Sequence, residues 1–401
     1  IPFEEGQHSE ERILAAKEVI KSPGIPDKVL LVKKLYEQGT PVISEIEFAA
    51  RYTKAKKIAI TGSNGKTTTT LLTYHLLKSA GINVGLAGNI GESFAKQVIE
   101  EKFDWFVLEL SSFQLDNMYE FKADVGILLN ITPDHLDRYE YQLQNYINSK
   151  FRLIRNMDSG SKFIYYSDDE IIAKELASKN TPATKIPVSL KSSGTPVFYD
   201  GAMMQFNLSE KFSIAQADTT LKGPHNLINT MAAVSAVFLA GAKLESIREG
   251  LKTFKNAPHR LEPVGVVNGV EFINDSKATN VDSVVYALGS YKQPLVWIAG
   301  GIDKGNDYNL IKDQVKEKVK TLICLGKDNQ KLKDFFGGIV PVIRETQSVE
   351  ELVHIALQEA QKGDVVLLSP ACASFDLFKN YEDRGDQFRK AVANLKLEYS
   401  K

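Results

Sequence analysis

The sequence predicts an α/β protein with parallel sheets, organised in two or three domains. Three observations support this fold class. Short apolar runs alternate with helical stretches from residue 57 onwards, and the same alternation restarts after residue 258. The chain has 401 residues, which is more than a single hydrophobic core usually serves.

The composition excludes several other classes. Hydrophobic residues make up 43%, charged residues 25%, and the net charge is −1, so we expect no nucleic-acid partner. There is no apolar run long enough to span a bilayer and no visible signal peptide, so we expect a cytoplasmic protein without membrane insertion. The two cysteines, Cys324 and Cys372, are expected to be reduced thiols, with Cys372 a small buried filler. Because the chain starts at Ile1 rather than Met, we expect that residues upstream are missing.

The first α/β run begins with an apolar strand at 57–61. A glycine turn and a helix at 66–80 follow, and then strands at 83–86, 105–110 and 125–130. Strands that alternate with helices in this way favour a parallel, doubly wound sheet.

The segments around this run have a different pattern. Residues 9–20 predict a single helix, and residues 226–240 predict a helix rich in small side chains. Between them, residues 162–166, 197–199 and 205–208 predict short strands with turns, which we interpret as an accessory β-sheet of the central domain.

The second α/β run follows a linker at 255–258, whose Asn-Ala-Pro sequence is typical of a loop. Its apolar strands are predicted at 270–274, 295–299, 321–325 and 364–368. This repetition indicates a second domain with a nucleotide-binding type of fold.

The strongest single motif is T-G-S-N-G-K-T-T at residues 61–68, placed between a strand and a helix. Glycines let backbone N–H groups face phosphate oxygens, and the helix N-terminus adds positive potential. Lys66 can reach the β- and γ-phosphates, and the Thr67 hydroxyl can bind Mg²⁺. Ile60 stands where the usual motif has its first glycine, so this is a shorter variant of the loop. The ATP-binding residues predicted here are Gly62, Ser63, Asn64, Gly65, Lys66, Thr67 and Thr68.

This loop resembles the ATP loop of the Mur ligase superfamily, which includes folylpolyglutamate synthase. The resemblance implies three domains: residues 1–44 as the remnant of a truncated N-terminal UDP-substrate-binding domain, 45–256 as a central P-loop ATPase domain, and 257–401 as a C-terminal Rossmann-like amino-acid-binding domain. It is closest to the branch that joins D-glutamate to UDP-N-acetylmuramoyl-L-alanine in peptidoglycan synthesis. That reaction uses ATP and an acyl-phosphate intermediate, and it releases ADP and phosphate. We also expect a monomer.

The resemblance further implies two Mg²⁺ sites. Glu109 ends an apolar strand, and His135 lies in an N-x-x-x-D-H-x-D segment typical of the family. Taken alone, Glu109 reads as a capping or ion-paired carboxylate, and Lys150 reads as a solvated surface lysine. In the family, the lysine at this place carries a carbamate derived from CO₂, which binds Mg²⁺ where an ammonium would repel it. The expected metal ligands are Thr67, Glu109, His135 and Lys150, and the expected catalytic residues are Lys66, His135 and Lys150.

The remaining expected contacts also rest on the resemblance. Further ATP contacts are Asn226 and Asn229, three residues apart on one predicted helix face, with Arg260 and Asp275 in the last domain. For the two asparagines, a helix cap and a solvated side chain are the alternative interpretation. The substrate contacts are Asn89, Ser111, Gln114, Lys277, Thr279, Lys304, Ser374 and Tyr381.

Several competing functions stay open at this stage. The nearest is another Mur ligase, although the D-N-P-R-type motif of the diamino-acid enzyme is absent from the sequence. A folylpolyglutamate synthase-like amide ligase is a weaker alternative. From a different class, the chain could be a non-catalytic nucleotide-binding regulator, which would not need a carboxylate, a histidine and a lysine near the phosphates.

Overall fold

The computed structural model describes residues 3–100 and 102–400, and the chain divides into two compact units. The first unit comprises the chain up to Leu221 together with Asn226–Phe254. The second comprises Lys222–His225 and the chain from Lys255 onwards.

The strands and helices of the first unit follow one another in the α/β alternation that the sequence predicts. Its strands are β1 Val19–Ile20, β2 Val42–Ile43, β3 Lys56–Thr61, β4 Val84–Gly88, β5 Trp105–Glu109, β6 Val125–Leu128, β7 Lys162–Tyr166, β8 Thr184–Ser189, β9 Val197–Tyr199, β10 Met203–Asn207 and β11 Lys211–Ala215. Its helices are α1 Glu10–Leu14, α2 Leu30–Glu37, α3 Glu45–Ala50, α4 Lys66–Ser79, α5 Phe94–Ile99, α6 Ser112–Asp116, α7 Leu143–Phe151, α8 Glu170–Ser178, α9 Pro224–Leu239 and α10 Leu244–Thr253.

Within the described residues, nine of these strands form one sheet in the order β11-β10-β9-β8-β7-β6-β3-β5-β4. The pairs from β9 to β4 are parallel, and the pairs β9-β10 and β10-β11 at the far end are antiparallel. The separate accessory sheet that we predicted is therefore wrong. The strands at 162–166, 197–199 and 205–208 extend the main sheet, because β7 pairs directly with β6 and β8 links β7 to β9.

Both faces of this sheet are covered. In β3, Ile58 and Ile60 belong to one core cluster, whereas Ala59 between them belongs to another. Successive side chains of a strand point to opposite faces. The continuous apolar run in β3 therefore reflects a strand that is buried on both sides.

The N-terminal segment differs from its prediction as well. In place of one helix at 9–20 there is a short helix, α1, followed by the strand β1. Val19 and Ile20 pair in parallel with Val42 and Ile43. The two β-branched side chains at the end of the predicted helix thus take part in a strand pairing, which local sequence does not reveal.

The second unit repeats the architecture on a smaller scale. Its strands are β12 Glu262–Val267, β13 Val270–Asn274, β14 Leu295–Ala299, β15 Val319–Leu325, β16 Val342–Thr346 and β17 Val365–Leu368. Its helices are α11 Val281–Gly289, α12 Lys312–Lys318, α13 Gln330–Phe336, α14 Val349–Glu359 and α15 Tyr381–Tyr399. The six strands found among the described residues run in the order β12-β13-β17-β14-β15-β16, and all pairs except β12-β13 are parallel.

The parallel strands of each unit bring several chain segments to one sheet edge, because their carboxyl ends lie at the same edge. Nearly all the residues predicted to bind ATP or substrate follow such strand ends. Among residues 3–100 and 102–400, none of the helices combines the length and the apolar content needed to cross a membrane.

Candidate active site

The loop between β3 and α4 has the form expected of a phosphate-binding loop. Lys66 folds back over it, and its Nζ donates to the carbonyl oxygens of Gly62 and Ser63, both at 2.8 Å. Gly65 precedes the first residue of α4 with φ of 83°, and a Cβ at this position would lie 2.5 Å from Asn229 Oδ1. Only glycine fits this left-handed backbone and this close approach.

The loop is held from behind by the segment that follows β6. Asn130 Oδ1 accepts from Asn64 N at 2.8 Å, and Asn130 Nδ2 donates to Asn64 O at 3.1 Å. Ser63 Oγ donates to the Thr132 carbonyl at 2.9 Å and lies 3.0 Å from Tyr146 Oη. Sequence reasoning assigned no function to Asn130, Thr132 or Tyr146. The position of Asn130, directly after an apolar strand, is the one local signal that could have suggested one.

Lys150 lies beneath this loop and is almost completely buried, with 1% of its surface exposed. The local sequence suggests that Lys150 is a solvated surface residue. That interpretation is wrong, because α7 turns the Lys150 side chain inward. Its Nζ donates to Gly62 O at 2.8 Å and to Thr61 Oγ1 at 3.2 Å, and no carboxylate among the described residues forms an ion pair with it. Burial lowers the pKa of Lys150 well below its ordinary value, and the nearby charge of Lys66 lowers it further.

Glu109 ends β5 directly beside the loop, because β5 pairs with β3 and places Glu109 opposite Ile60. Asn89 Nδ2 donates to Glu109 Oε1 at 2.8 Å, whereas Glu109 Oε2 is buried and has no hydrogen-bond partner among the residues that the structure describes. A carboxylate with one oxygen oriented by an amide and the other left unpaired suits a cation ligand. Asn89 therefore orients Glu109, and its predicted contact with the substrate stays a prediction.

His135 has left-handed backbone, with φ of 52°, and its ring packs edge-on against Phe113 with centroids 5.1 Å apart. Partial burial of the ring lowers the pKa of His135; the charge of Asp134, whose Oδ2 lies 3.5 Å from Nε2, opposes this, and Lys66 and Lys150 add to the lowering. A neutral imidazole is the form that binds metals.

The predicted metal ligands fit Mg²⁺ only in part. In the described ranges, no three His, Cys, Asp or Glu side chains form a group that could hold a metal ion. Glu109 offers its unpaired oxygen, and Thr67 lies in the first turn of α4, directly after the loop. Lys150 fits as a ligand only after its ammonium has been converted to an anion, because two like charges repel each other.

Asn226 and Asn229 are both buried in the first turns of α9, and Asn229 Nδ2 donates to Asn226 Oδ1 at 3.1 Å. Since a Cβ on Gly65 would lie 2.5 Å from Asn229 Oδ1, Asn229 lies beside the loop between β3 and α4. A solvated Asn229 is therefore excluded, whereas its ATP contact stays a prediction.

Ser111 and Gln114 form a capping box at the start of α6. Gln114 N donates to Ser111 Oγ at 3.2 Å, and Ser111 N donates to Gln114 Oε1 at 2.9 Å. These bonds explain both side chains structurally, so their predicted contact with the substrate stays a prediction.

In the second unit, Asp275 is a buried carboxyl group at the end of β13. Ser369 Oγ donates to its Oδ2 at 2.9 Å, and Leu261 N donates to its Oδ1 at 3.2 Å. Burial raises the pKa of Asp275 to about 7, although these two bonds and the charge of Arg260 oppose the rise. Such a perturbed group at a strand end is typical of a functional site.

The five predicted substrate residues of this unit follow four different elements. Lys277 and Thr279 lie after β13, Lys304 is exposed after β14, and Ser374 is buried after β17. Tyr381 begins α15, and the Lys277 ammonium lies 5.2 Å from the centre of its ring. The sheet therefore collects Lys277, Thr279, Lys304 and Ser374 at its carboxyl edge, with Tyr381 beside Lys277.

The loop that carries Lys304 is anchored by its neighbour Asp303. Asp303 Oδ1 accepts from the backbone N–H groups of Gly305 and Asn306 at 2.7 and 2.9 Å, and from Lys331 Nζ at 2.9 Å. Tyr308 Oη donates to Asp303 Oδ2 at 2.8 Å. Sequence reasoning missed this anchor because Lys331 lies on a different element, α13.

Most of the chain is similar in sequence or in fold to known ligases. Residues 60–237 match the Mur ligase middle domain, and residues 259–372 match the Mur ligase glutamate ligase domain. The chain is 54% identical over 397 residues to the UDP-N-acetylmuramoylalanine–D-glutamate ligase of Bacteroides fragilis, covering 98% of this chain and 89% of that protein. The protein of the same description from Cytophaga hutchinsonii is 54% identical over 400 residues, with the same coverage. In fold, the chain is similar to a pseudomurein peptide ligase type C from Methanothermus fervidus, with a TM-score of 0.67 at 20% identity, covering 98% of this chain and 89% of that one.

Proposed function

Since the chain belongs to the Mur ligase family, we propose that it joins D-glutamate to UDP-N-acetylmuramoyl-L-alanine at the expense of ATP. The relatives that are 54% identical over nearly the whole chain carry this description. One structural observation carries the proposal: Lys66 and Lys150 both bond to the backbone of a single loop, and Glu109 ends the strand that pairs beside it. A nucleotide-binding regulator would have no need of that arrangement.

The chemical problem is that a carboxylate does not react with an amine in water, because its oxygen is a poor leaving group. In our proposal, the L-alanine carboxylate attacks the γ-phosphorus of ATP, ADP departs, and an acyl phosphate forms. The amine of D-glutamate then attacks the acyl carbon and loses a proton, and phosphate leaves. Both reactants of the first step are anions, so the main task of the protein is to neutralise charge.

The residues of the first unit divide this task. Lys66 already lies over the loop, so its ammonium is available to the β- and γ-phosphates once they displace the Gly62 and Ser63 carbonyls. Mg²⁺, when bound, would supply further positive charge at the transferring phosphate, and we propose two sites for it. Thr67 and Glu109 would hold one ion, and His135 and Lys150 the other.

We further propose that Lys150 is converted to a carbamate. Its unprotonated amine attacks CO₂, forms an N–C bond and releases one proton, which leaves an anion in place of a cation. Burial supports the proposal, because an ammonium at a buried site beside Lys66, with no ion-pair partner in the described part of the chain, is unfavourable. The carbamate nitrogen would keep one N–H, which can still donate to Thr61 Oγ1 as Lys150 Nζ does at 3.2 Å.

The second unit would bind the amino acid. D-glutamate carries two carboxylates, and the carboxyl edge of this sheet offers the ammonium groups of Lys277 and Lys304 with the hydroxyl groups of Thr279, Ser374 and Tyr381. We assign the side-chain carboxylate to Ser374 and Tyr381. Asp275 and Arg260 would contact the nucleotide from this unit.

The cellular setting follows from the substrates. Nucleotide-linked sugars and ATP are cytoplasmic metabolites, so we place the enzyme in the cytoplasm, acting as a monomer. Its product would be a peptidoglycan precursor, so we expect its loss to disturb cell shape and cell division.

A substrate panel tests the proposal. Phosphate release is measured with the purified chain, ATP, MgCl₂ and UDP-N-acetylmuramoyl-L-alanine, and with D-glutamate, L-glutamate, L-alanine, a diamino acid or D-alanyl-D-alanine as the amine. Among these amines, we expect only D-glutamate to support turnover. Preference for another amine would assign the chain to a different Mur ligase activity, and turnover with a folate in place of the UDP substrate would favour the synthase. Binding of ATP without turnover on any combination of substrates would refute the proposal that the chain is an enzyme.

A further inference from the structure

Arg384 is a buried cation to which the mechanism above assigns no function. It lies in the first turn of α15, and only 1% of its surface is exposed. In the described part of the chain, no carboxylate lies within ion-pair distance of its guanidinium. Burial lowers the pKa of Arg384 to about 10, so the group is still charged at neutral pH. A buried charge without a counter-ion costs free energy unless its hydrogen bonds offset the loss of water.

The guanidinium donates hydrogen bonds to three separate loops. Nε donates to Ser276 Oγ and Nη2 to Ser276 O, both at 2.9 Å. Nη1 donates to Gly300 O at 3.3 Å, and both Nη1 and Nη2 donate to Cys372 O at 3.3 Å. Every acceptor is a carbonyl or hydroxyl oxygen, so the fixed fork of one guanidinium holds three backbone segments at once.

Those segments are the ones that carry the proposed amino-acid contacts. Ser276 lies immediately before Lys277, Gly300 begins the loop that carries Lys304, and Cys372 lies two residues before Ser374. The fourth element, α15, is tied in as well, because Ser276 Oγ donates to the Tyr381 carbonyl at 2.8 Å.

The loops around Arg384 are closely packed and have unfavourable backbone conformations, so their structure depends on the groups that surround them. Ile302 N donates to Ala373 O at 2.7 Å, and Ala373 N donates back to Ile302 O at 3.1 Å. A Cβ at Gly301, where φ is 122°, would lie 2.2 Å from Ala373 O. Ala371 has φ of 60°, an unfavourable conformation for a residue with a side chain. Backbone of this kind persists only where the surroundings hold it in place.

We propose that Arg384 is a positioning residue for the amino-acid substrate: its guanidinium sets the relative placement of the loops that carry Lys277, Lys304 and Ser374. The inference rests on the proposed function, because those side chains bind D-glutamate only if the chain is that ligase. Arg384 touches no substrate in this scheme. Misplacement of the loops should therefore weaken binding of the amino acid and leave the first half-reaction, on UDP-N-acetylmuramoyl-L-alanine and ATP, intact.

The test compares the wild-type chain with Arg384→Lys, Ser276→Ala and Lys390→Gln. Arg384→Lys keeps the charge but cannot bridge three loops with one ammonium. Ser276→Ala removes the hydroxyl that accepts from Arg384 Nε and donates to the Tyr381 carbonyl, and it leaves the other bonds of the guanidinium in place. It therefore weakens the same network with a smaller risk to folding. Lys390→Gln is the matched control, since Lys390 is exposed on the same helix. For each variant we would measure KM for D-glutamate, kcat at saturating D-glutamate, melting temperature, and ADP formation in a single turnover without D-glutamate.

We expect Arg384→Lys to raise KM for D-glutamate by about tenfold or more, and Ser276→Ala by a few-fold, because small displacements of positioning groups have effects of this size. Single-turnover ADP formation should match that of Lys390→Gln, and the melting temperature shows whether each variant is folded at the assay temperature. The inference is overturned if folded Arg384→Lys keeps the wild-type KM, or if KM, kcat and the single-turnover rate deteriorate together, which is the pattern of a residue that only supports the fold. If Arg384→Lys does not fold, Ser276→Ala decides between the same two results. A wild-type chain without D-glutamate-dependent turnover overturns the proposed function, and the inference with it.

Discussion

The buried carboxyl group of Asp275 makes the stability of the second unit depend on pH in a way that can be calculated. The native state raises its pKa from the ordinary 3.8 to about 7. The folded state then holds the proton more tightly than the unfolded state, so the group favours folding below pH 3.8 and loses this contribution as the pH rises to about 7. The whole difference is about three pKa units, or roughly 4 kcal/mol, of which about 3 kcal/mol falls between about pH 5 and pH 8.

The perturbation is Asp275→Asn, which replaces the carboxyl group by a neutral amide of the same shape. Like the protonated acid, the amide offers one acceptor and one donor to Leu261 N and Ser369 Oγ. The variant should therefore lack the loss of stability that the wild type shows as the pH rises. Asp313→Asn, which removes an exposed carboxylate on α12, is the matched control and should follow the wild type.

The assay is urea unfolding at several pH values, followed by the fluorescence of Trp297. The chain has two tryptophans, Trp105 in the first unit and Trp297 buried in the second, so Trp105→Phe in every protein isolates the signal of the second unit. We expect the free energy of unfolding of the wild type to fall by about 3 kcal/mol relative to Asp275→Asn between about pH 5 and pH 8. Parallel profiles for the two proteins would show that Asp275 is not perturbed, and the reasoning from its burial would fail.

Three further predictions concern the first unit. Lys66→Ala should abolish both ATP hydrolysis and ligation in a phosphate-release assay, whereas Lys78→Ala, at an exposed position near the end of the same helix, should retain them; full turnover by Lys66→Ala would contradict the assignment of the loop. Lys150→Ala should be inactive and partly recover when short-chain carboxylates are added, because they return an anion to the buried site; Lys66→Ala should show no such recovery, and the absence of recovery in Lys150→Ala would argue against the carbamate. Asn89→Ala should raise the Mg²⁺ concentration for half-maximal activity by about tenfold, because Glu109 loses the amide that orients it, with the exposed Asn148→Ala as the control. An unchanged Mg²⁺ dependence in Asn89→Ala would separate Glu109 from the metal.

The α/β class, the phosphate loop and most strands of both sheets could be predicted from the sequence, because their signals are local. The loop at 61–68 is recognisable from glycines and a lysine that stand next to each other in the chain. The strands from β3 to β6 each contain a continuous apolar run, since both faces of their sheet are buried. The resemblance to the Mur ligases added the substrates, which no local pattern specifies.

The tertiary structure decided everything that depends on pairing between distant segments. The strands predicted as an accessory sheet belong to the main sheet because β7 pairs with β6, and no local pattern distinguishes one partner strand from another. Lys150 reads as a surface residue until α7 places it under Gly62, 88 positions away in the chain. Arg384 reaches Ser276 across 108 positions. Burial and hydrogen bonding are properties of a site assembled from several segments, so the chemistry of these two cations became visible only once the chain was folded.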